Sequence, residues 1–291
     1  YEAALQFIET KYSNHVASGA VIFLQAQLYQ QSGSNFHPFT NKEVQYDLVK
    51  ATQLCEKLIA AFPHSEAADR ATNLLFSIKS PQLKIETEKV NTINDPFRTL
   101  VNYKNAPKLY FRIIKTTREE IKKLDRRDYD KLWAAYTAMK PVKSWSLALH
   151  DPKDYQQHST EIKIDGLGNG VYFILASMDE DFSLSDNILA KQLIYVSNIS
   201  YLHNNNQEYY VLHRDNGLPL ANTQVQVWES KYNYQSGYNE ENKAEKYATD
   251  KNGMFKMKDS KDYRNILLQL KNNADELFMD DNEGYNTYSK I

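Results

Sequence analysis

Apolar residues between positions 44 and 62 recur with the spacing of one helix face. They are Val44, Leu48, Ala51, Cys55, Leu58 and Phe62. Steps of three and four residues bring side chains to the same side of a helix, so this pattern predicts an amphipathic helix that ends at Pro63. Ser65 is then placed to cap a second helix, and Pro81 ends that one.

A related pattern lies fifty positions earlier in the chain. Ala4, Ile8, Tyr12 and Ala17 correspond to Leu54, Leu58, Phe62 and Ala67. Two helical hairpins of one kind explain this correspondence, so residues 1–80 are predicted to be a helical repeat region. The pattern resembles tetratricopeptide-type repeats, with a longer period. Because two such units are marginal alone, we expect further repeats upstream in the parent protein.

From Gln82 onward the apolar period changes from the helical one to two-residue alternation. The alternation predicts strands at 109–114, 144–149, 160–164 and 171–176. A helical stretch interrupts them, with Thr117 and Glu120 spaced as a capping box and Pro141 at its end. Residues 81–195 are therefore predicted to form an antiparallel β-sandwich with an inserted helix at about 117–140.

A second sandwich is predicted over residues 196–291. Its strands are expected at 209–212, 223–228, 254–257 and 265–270, and turn residues at 215–219 and 250–253 separate them. Short strands at regular spacing favour antiparallel, Ig-like sandwiches. The predicted fold class is thus mixed and mainly β: a helical lead followed by two sandwiches.

Composition narrows the function classes. The net charge is −2, so no basic surplus exists to neutralise phosphates, and nucleic acid is not expected as a partner. The 21 tyrosines favour half-buried strands. Cys55 is the single cysteine, which excludes an internal disulfide, and we expect it to be a core residue. No apolar run approaches the length needed to span a bilayer, and the candidate Ala20 to Leu24 is far too short.

No pattern of catalytic or metal-binding residues is found in the sequence. Among the seven histidines, none pairs with a second ligand at helical spacing on a predicted helix. His158 and Asp154 lie four apart, but in a stretch that we expect to be a solvated loop. The glycines at 166–170 precede a strand rather than a helix, so they predict a turn and not a phosphate loop. We predict a non-catalytic chain without cofactor or metal.

The segment 231–240 offers a candidate protein interface. Tyr232, Tyr234 and Tyr238 lie there in a polar hairpin, and tyrosine and asparagine are common contact residues. The alternative is a long solvated loop whose tyrosines pack on the sheet.

Several segments between residues 82 and 285 carry a family resemblance. Residues 212–227 (LHRDNGLPLANTQVQV) and 249–255 (TDKNGMF) resemble hairpins of bacterial Ig-like modules. Residues 170–176 (GVYFILA), 196–201 (VSNISY) and 270–278 (LKNNADELF) resemble strands and junctions of macroglobulin domains, and 145–159 (WSLALHDPKDYQQHS) resembles the variant with a long inserted helix. In this order they resemble the N-terminal part of a bacterial alpha-2-macroglobulin.

This resemblance implies seven-stranded antiparallel sandwiches that form the frame of a large protease trap. It also implies an extracytoplasmic location, in the periplasm or at the cell surface, with any lipid anchor outside this segment. The expected partners are neighbouring domains of the parent chain and the target proteases of the whole protein. The family's C-x-E-Q thioester motif is not present, because Cys55 is followed by Glu56, Lys57 and Leu58.

A second hypothesis belongs to another class. The chain is then an Ig-like surface adhesion or glycan- or protein-binding module, and the helical lead is its adaptor. The helical lead and the Tyr-rich hairpin are its contact surfaces in that case.

Overall fold

The structure is a computed structural model that describes residues 2–12, 15, 17–124, 127–204, 207–234, 238–258, 266–279 and 286–290. Its contacts divide the chain into two compact units. The first unit comprises Tyr1–Lys84, Val101–Leu109 and Ser146–Thr160, and the second comprises Ile85–Leu100, Tyr110–Trp145 and Glu161–Ile291. Neither unit is continuous in sequence, whereas the three predicted domains are; that three-domain division stays a prediction.

The helical lead in the first unit contains four α-helices among its described residues. They are α1 (Glu2–Lys11), α2 (Ala17–Gly33), α3 (Asp47–Ala61) and α4 (Glu66–Lys79), with a 3-10 helix at Lys42–Val44. The predicted cap is confirmed, because the Ser65 side chain accepts a hydrogen bond from the backbone N–H of Ala68 at 3.2 Å. The tetratricopeptide-type repeat stays a prediction.

Burial in the lead follows the predicted stripe on α3. Cys55 and Leu58 are fully buried and pack with Ile22, Ala26 and Ala71. The residues that correspond at a distance of fifty positions do not share the same burial. Ile8 and Tyr12 on the first hairpin are exposed, whereas Leu58 is buried and Phe62 is half-buried.

Sixteen strands are found within the described residues. They are β1 (Gln82–Thr87), β2 (Val90–Asn91), β3 (Phe97–Lys104), β4 (Lys108–Thr116), β5 (Lys143–Ala148), β6 (His158–Ile164), β7 (Gly170–Ser177), β8 (Asn187–Val196), β9 (Ile199–His203), β10 (Glu208–His213), β11 (Gln224–Asn233), β12 (Tyr238–Ala248), β13 (Met254–Lys256), β14 (Ile266–Asn272), β15 (Asp275–Phe278) and β16 (Asn286–Lys290). The chain is therefore mainly β, with a helical N-terminal region.

These strands form four sheets in the part of the chain that the structure describes. Their orders are β1–β3–β6, β13–β10–β9, β12–β11–β14–β15 and β16–β8–β7–β4–β5, with β2 also paired to β8. The pairing of β2 with β8 is parallel, whereas β16 runs antiparallel to β8. A strand from the second predicted sandwich thus completes a sheet built from strands of the first.

The core of the second unit is shared in the same way. Phe173 and Leu189, from the first predicted sandwich, belong to one apolar cluster with Val227 and Leu270 from the second. All four side chains have an exposed fraction of 0%. Burial on both faces of the sheet explains the continuous apolar run of β7 from Val171 to Ala176.

The inserted segment forms two helices where the sequence predicts one. They are α5 (Arg118–Lys122) and α6 (Tyr129–Ala138). The capping box of Thr117 and Glu120 is present at the start of α5. Asp128 has an extended backbone, and its carboxylate accepts a hydrogen bond from the N–H of Lys131 at 3.1 Å. The expectation of one helix over 117–140 is therefore wrong, because Asp128 starts a second helix as its N-cap.

Candidate protein interface

The Tyr-rich segment lies at the end of the long hairpin formed by β11 and β12. The two strands pair from Gln224 and Ala248 to Asn233 and Tyr238, with an irregularity between Gln226 and Trp228. In contrast, the described register between β11 and β14 stops at Glu229. Within the described residues, the hairpin therefore continues past the part of β11 that is paired on both sides.

Two of the three predicted interface tyrosines are exposed at this end. The exposed fraction is 54% for Tyr232 and 90% for Tyr234. Their ring centroids are 5.2 Å apart in an edge-to-face arrangement, a favourable geometry for an aromatic pair. The backbone of Tyr238 pairs with Asn233, and its side chain lies outside the described residues. The role of the three residues as an interface stays a prediction.

A buried ion pair fixes the hairpin to the inserted segment. Arg118, the first residue of α5, donates from both terminal nitrogens to the Glu241 carboxylate of β12, each at 2.6 Å. Both side chains have an exposed fraction of 9%. Lys122, one helical turn later, also donates to Glu241 at 2.5 Å. The planar guanidinium and the carboxylate match in a bidentate arrangement, which fixes geometry as well as charge.

The environment of Glu241 sets its protonation. Burial by itself opposes the charged form, but the hydrogen bonds from Arg118 and Lys122 outweigh it and lower the pKa of the Glu241 carboxyl. Glu241 is thus held as a carboxylate at neutral pH. Because removal of one member leaves a buried charge without its counter-ion, a pair of this kind resists disruption.

Aromatic stacking supports the middle of the same hairpin. Trp228 of β11 stacks on Phe278 of β15 with ring centroids 5.4 Å apart. Its indole N–H donates to the side-chain oxygen of Gln269 at 3.1 Å. The Arg118 guanidinium lies 4.1 Å from the centroid of the Phe278 ring. The stacked rings at Trp228 and the ion pair at Glu241, which lies opposite Ser230, therefore hold the middle of the hairpin, and Tyr232 and Tyr234 are exposed nearer its end.

A second aromatic group lies on the sheet of β13, β10 and β9. Tyr209 stacks between His203, at 5.5 Å, and Phe255, at 4.9 Å. Tyr247 of β12 contacts Phe255 at 5.5 Å. Burial raises the pKa of the Tyr209 hydroxyl. Phe255 is buried, Tyr209 and Tyr247 are half-buried and His203 is exposed, so this aromatic group lies at the edge of the core of the second unit.

Sequence reasoning missed Arg118 and Glu241 as partners. They are 123 residues apart, and no local pattern connects them. The available signal was the spacing of Arg118 and Lys122, which places two cations on one helix face. Two cations on one face indicate that the helix has an acidic partner, but they do not identify Glu241 as that partner.

The expectation of a solvated loop at His158 and Asp154 is wrong. Asp154 has an exposed fraction of 1%. Its carboxylate accepts from the Gln45 amide at 2.8 Å and from the backbone N–H of Gln156 at 2.9 Å, and it lies 2.9 Å from Nε2 of His158. The buried Asp154 therefore connects the segment before α3 to the 149–157 loop within the first unit.

Cys55 is a core residue, as the sequence predicts. Burial, with a smaller contribution from the Glu56 carboxylate, raises the pKa of the Cys55 thiol to about 11. Across the described residues, no group of three or more histidine, cysteine, aspartate or glutamate side chains is arranged to hold a metal ion. No described helix is both long and apolar enough to cross a membrane.

Comparison with known proteins gives structural similarity only. No protein-family model and no curated protein matches the chain. The chain is similar to a crystal structure of native alpha-2-macroglobulin from Escherichia coli that spans domains MG0-NIE-MG1. That match has 14% identity and a TM-score of 0.47, and it covers 68% of this chain and 64% of that one. The chain thus spans less than two-thirds of that fragment's length.

A second similar structure is the CARDB domain of a Pyrococcus furiosus protein, which was solved in complex with di-metal ions. That match has 14% identity and a TM-score of 0.23, and it covers 40% of this chain and 87% of that one. At these values neither structure assigns the chain to a family.

Proposed function

We propose that this chain is a non-catalytic structural segment of a bacterial alpha-2-macroglobulin-like protease trap. In this role it forms part of the frame and contacts neighbouring domains of the same protein. The single observation that supports the frame role is the hairpin of β11 and β12. Arg118 binds Glu241 of this hairpin opposite Ser230, and Tyr232 and Tyr234 are exposed nearer its end.

The geometry of the hairpin suits a contact between domains. A rigid support limits the entropy that is lost when a surface is immobilised, and tyrosine buries a large ring with two rotatable bonds. The family resemblance of the segments between 82 and 285 is the support for protease trapping. The proposed location is extracytoplasmic, and the proposed attachment of the parent protein, if lipid-based, lies outside this segment.

Protease capture by the full-length parent protein tests the trap. The parent is incubated with trypsin, and the cleavage of a small peptide and of a large protein substrate is then followed. We expect the large substrate to be spared while the small peptide is still cut, because a caged protease remains open to small molecules. Trypsin that was inactivated before the incubation is the control. Equal cleavage of both substrates would reject the trap.

The frame role is tested separately by hydrogen exchange. Amides of residues 231–241 are compared between the full-length parent and the 291-residue chain alone. We expect slower exchange in the parent, because a neighbouring domain covers the end of the hairpin. Equal exchange in both would count against the contact.

The adhesion or glycan-binding function is the second candidate. The observation that favours it is the edge-to-face pair of Tyr232 and Tyr234, since exposed aromatic rings also bind sugars and proteins. Binding of the isolated chain to a glycan array tests it. A signal that Tyr234→Ser removes and that Tyr46→Ser, at another exposed tyrosine, leaves intact would favour adhesion over the frame role.

A further inference from the structure

The β11–β12 hairpin has an outer face that points away from the core of the second unit. Val225 and Val227 of β11 are buried in that core. Because successive side chains of a strand point to opposite faces, the residues that alternate with these two point outward. Together with the residues opposite them on β12 they form the outer face, and on β11 they are Gln226, Trp228, Ser230 and Tyr232.

The strand register places Lys243 and Lys246 of β12 on this outer face. Directly opposite residues of an antiparallel pair lie on the same face of the sheet. An irregularity adds one residue to β12 at this point, so the two lysines share a face although they are three positions apart. The opposite pairs are Gln226–Lys246, Trp228–Lys243 and Ser230–Glu241.

The outer face has an excess of positive charge. Arg118 and Lys122 of α5 both donate to Glu241. Arg118 and Glu241 neutralise each other as a buried pair, and the 44% exposed ammonium-bearing side chain of Lys122 is left as a charge at the surface. Lys243 and Lys246 are exposed, and among the described residues neither has a carboxylate partner. Three cations therefore face solvent here, although the whole chain has a net charge of −2.

Aromatic rings lie beside these cations. The Lys243 ammonium is 5.2 Å from the centroid of the Trp228 ring. Tyr232 and Tyr234 are exposed further along the hairpin. Tyrosine and tryptophan are enriched in contacts between proteins, and interfaces pair surfaces of opposite charge. Exposed rings next to cations without a counter-ion therefore complement an acidic segment of a protein.

The spacing of the face suits an extended segment. Its rows are two residues apart along β11, which is about 6.8 Å in an antiparallel strand. Alternate side chains of any extended chain repeat at the same distance, so acidic residues at every second position can meet cations in successive rows. From Gln226 to Tyr232 the face is about 20 Å long, which corresponds to about seven extended residues.

We propose that the outer face binds an extended acidic segment of the neighbouring domain. The carboxylates of this segment pair with Lys122, Lys243 and Lys246, and its chain continues over Tyr232. This inference rests on the proposed frame role, because it names the chemistry of the partner that contacts the hairpin. Charge gives this contact its selectivity, since a basic segment in the same place is repelled.

Nuclear magnetic resonance of the 291-residue chain tests the chemistry of the face. The first probe is the alternating acidic peptide acetyl-Asp-Ser-Asp-Ser-Asp-amide. Its controls are the rearranged acetyl-Asp-Asp-Asp-Ser-Ser-amide, the basic acetyl-Lys-Ser-Lys-Ser-Lys-amide and a single-stranded hexamer of thymidine nucleotides. The readout is the indole N–H signal of Trp228, assigned by its loss in Trp228→Phe. We expect it to shift and saturate with the alternating acidic peptide on the order of millimolar, and less at high salt.

Three variants and one control locate the binding. Lys243→Gln and Lys246→Gln are each expected to weaken the alternating acidic peptide about two- to fivefold, the effect of one exposed ion pair. The double variant Lys243→Glu with Lys246→Glu is expected to bind the basic peptide instead. Lys231→Gln removes the same charge from the opposite side of the hairpin and is expected to change the affinity less than about 1.5-fold. All these positions are exposed, so the variants are expected to melt like the parent chain.

Four results with the isolated chain would overturn the inference. The first is the absence of a saturable shift with the alternating acidic peptide up to about 10 mM. The second is equal binding of the rearranged peptide, which would reject the extended geometry. The third is tighter binding of the thymidine hexamer, which would identify a phosphate polymer as the ligand. The fourth is an unchanged affinity in both single lysine variants, which would place the peptide elsewhere.

Hydrogen exchange in the full-length parent separates this inference from the frame role. With Lys243→Glu and Lys246→Glu in the parent, we expect the amides of residues 231–241 to exchange as fast as in the isolated chain with the same changes, because the acidic segment is repelled. If the unaltered parent protects these amides and the double variant keeps the protection, the contact exists but its partner is not acidic, and this inference alone is rejected. If the unaltered parent does not protect them, the frame contact and this inference fail together.

Discussion

The ion pair between Arg118 and Glu241 gives a quantitative prediction for the β11–β12 hairpin. The perturbation is Glu241→Gln, which keeps the shape of the side chain and removes its charge. Arg118 then remains buried, with an exposed fraction of 9%, and loses the counter-ion that accepted two hydrogen bonds at 2.6 Å. Removal of one member of a buried pair costs about 3–5 kcal/mol.

Three contacts determine where in this range the loss of stability in Glu241→Gln is expected to lie. The Phe278 ring stays 4.1 Å from the Arg118 guanidinium and compensates part of the lost charge pairing. The glutamine amide oxygen can still accept one hydrogen bond. Lys122 is 44% exposed, so its contact with Glu241 adds only about 0–1 kcal/mol. We therefore expect a loss of about 3 kcal/mol, at the lower end of the range for buried pairs.

Hydrogen exchange of the β12 amides is the appropriate assay. The chain has two units, so a single global unfolding transition is not assumed, and exchange reports the local opening of the hairpin directly. Glu119→Gln on the exposed side of α5 is the matched control, and we expect it to change the opening free energy by less than about 0.5 kcal/mol. The double variant Arg118→Met with Glu241→Leu is expected to recover at least half of the loss, because no unpaired charge remains.

The pH dependence gives a second readout of the same pair. The folded-state pKa of Glu241 lies below the ordinary glutamate value of 4.5, so the carboxylate stabilises the fold above that pH. This contribution is lost as the pH falls below 4.5 through the folded-state pKa. The Glu241→Gln variant should therefore lose less stability than the parent chain as the pH falls through this range. A Glu241→Gln effect below about 0.5 kcal/mol, with unchanged acid sensitivity, would refute the assignment of a buried ion pair.

The remaining predictions concern the hairpin end, a turn and the thiol. Tyr232→Ser and Tyr234→Ser should each change the free energy of unfolding by less than about 0.5 kcal/mol while they reduce contact with the neighbouring domain; a large loss of stability would show that the rings pack within the chain. Gly253→Ala should cost about 1–3 kcal/mol, because Gly253 has φ of +72° and an added Cβ would lie 2.4 Å from the Val211 carbonyl oxygen. Gly168→Ala, where an added Cβ meets nothing within 4 Å, is its control. Cys55, with a thiol pKa of about 11, should react with a thiol reagent at about pH 8 only after denaturation; rapid reaction of the folded chain would contradict its burial.

Features that depend on neighbouring residues were predictable. The N-caps at Ser65 and Thr117 are confirmed, because each is formed by a side chain and a backbone N–H three residues later. The turn at 250–253 is confirmed as well: the Asp250 carboxylate accepts from two following N–H groups, and Gly253 takes the left-handed backbone. The buried stripe of α3 follows from apolar periodicity alone.

The tertiary structure decided which distant elements meet. Alternating apolar residues fit many partner strands equally well, so the sequence did not indicate that β16 pairs with β8. The burial of Asp154 depends on the Gln45 amide, 109 residues away. The charges of Arg118 and Glu241 are typical of solvated surfaces, and they became a buried pair only because α5 packs against β12. Local patterns therefore determined the elements, and long-range burial determined which polar groups became partners.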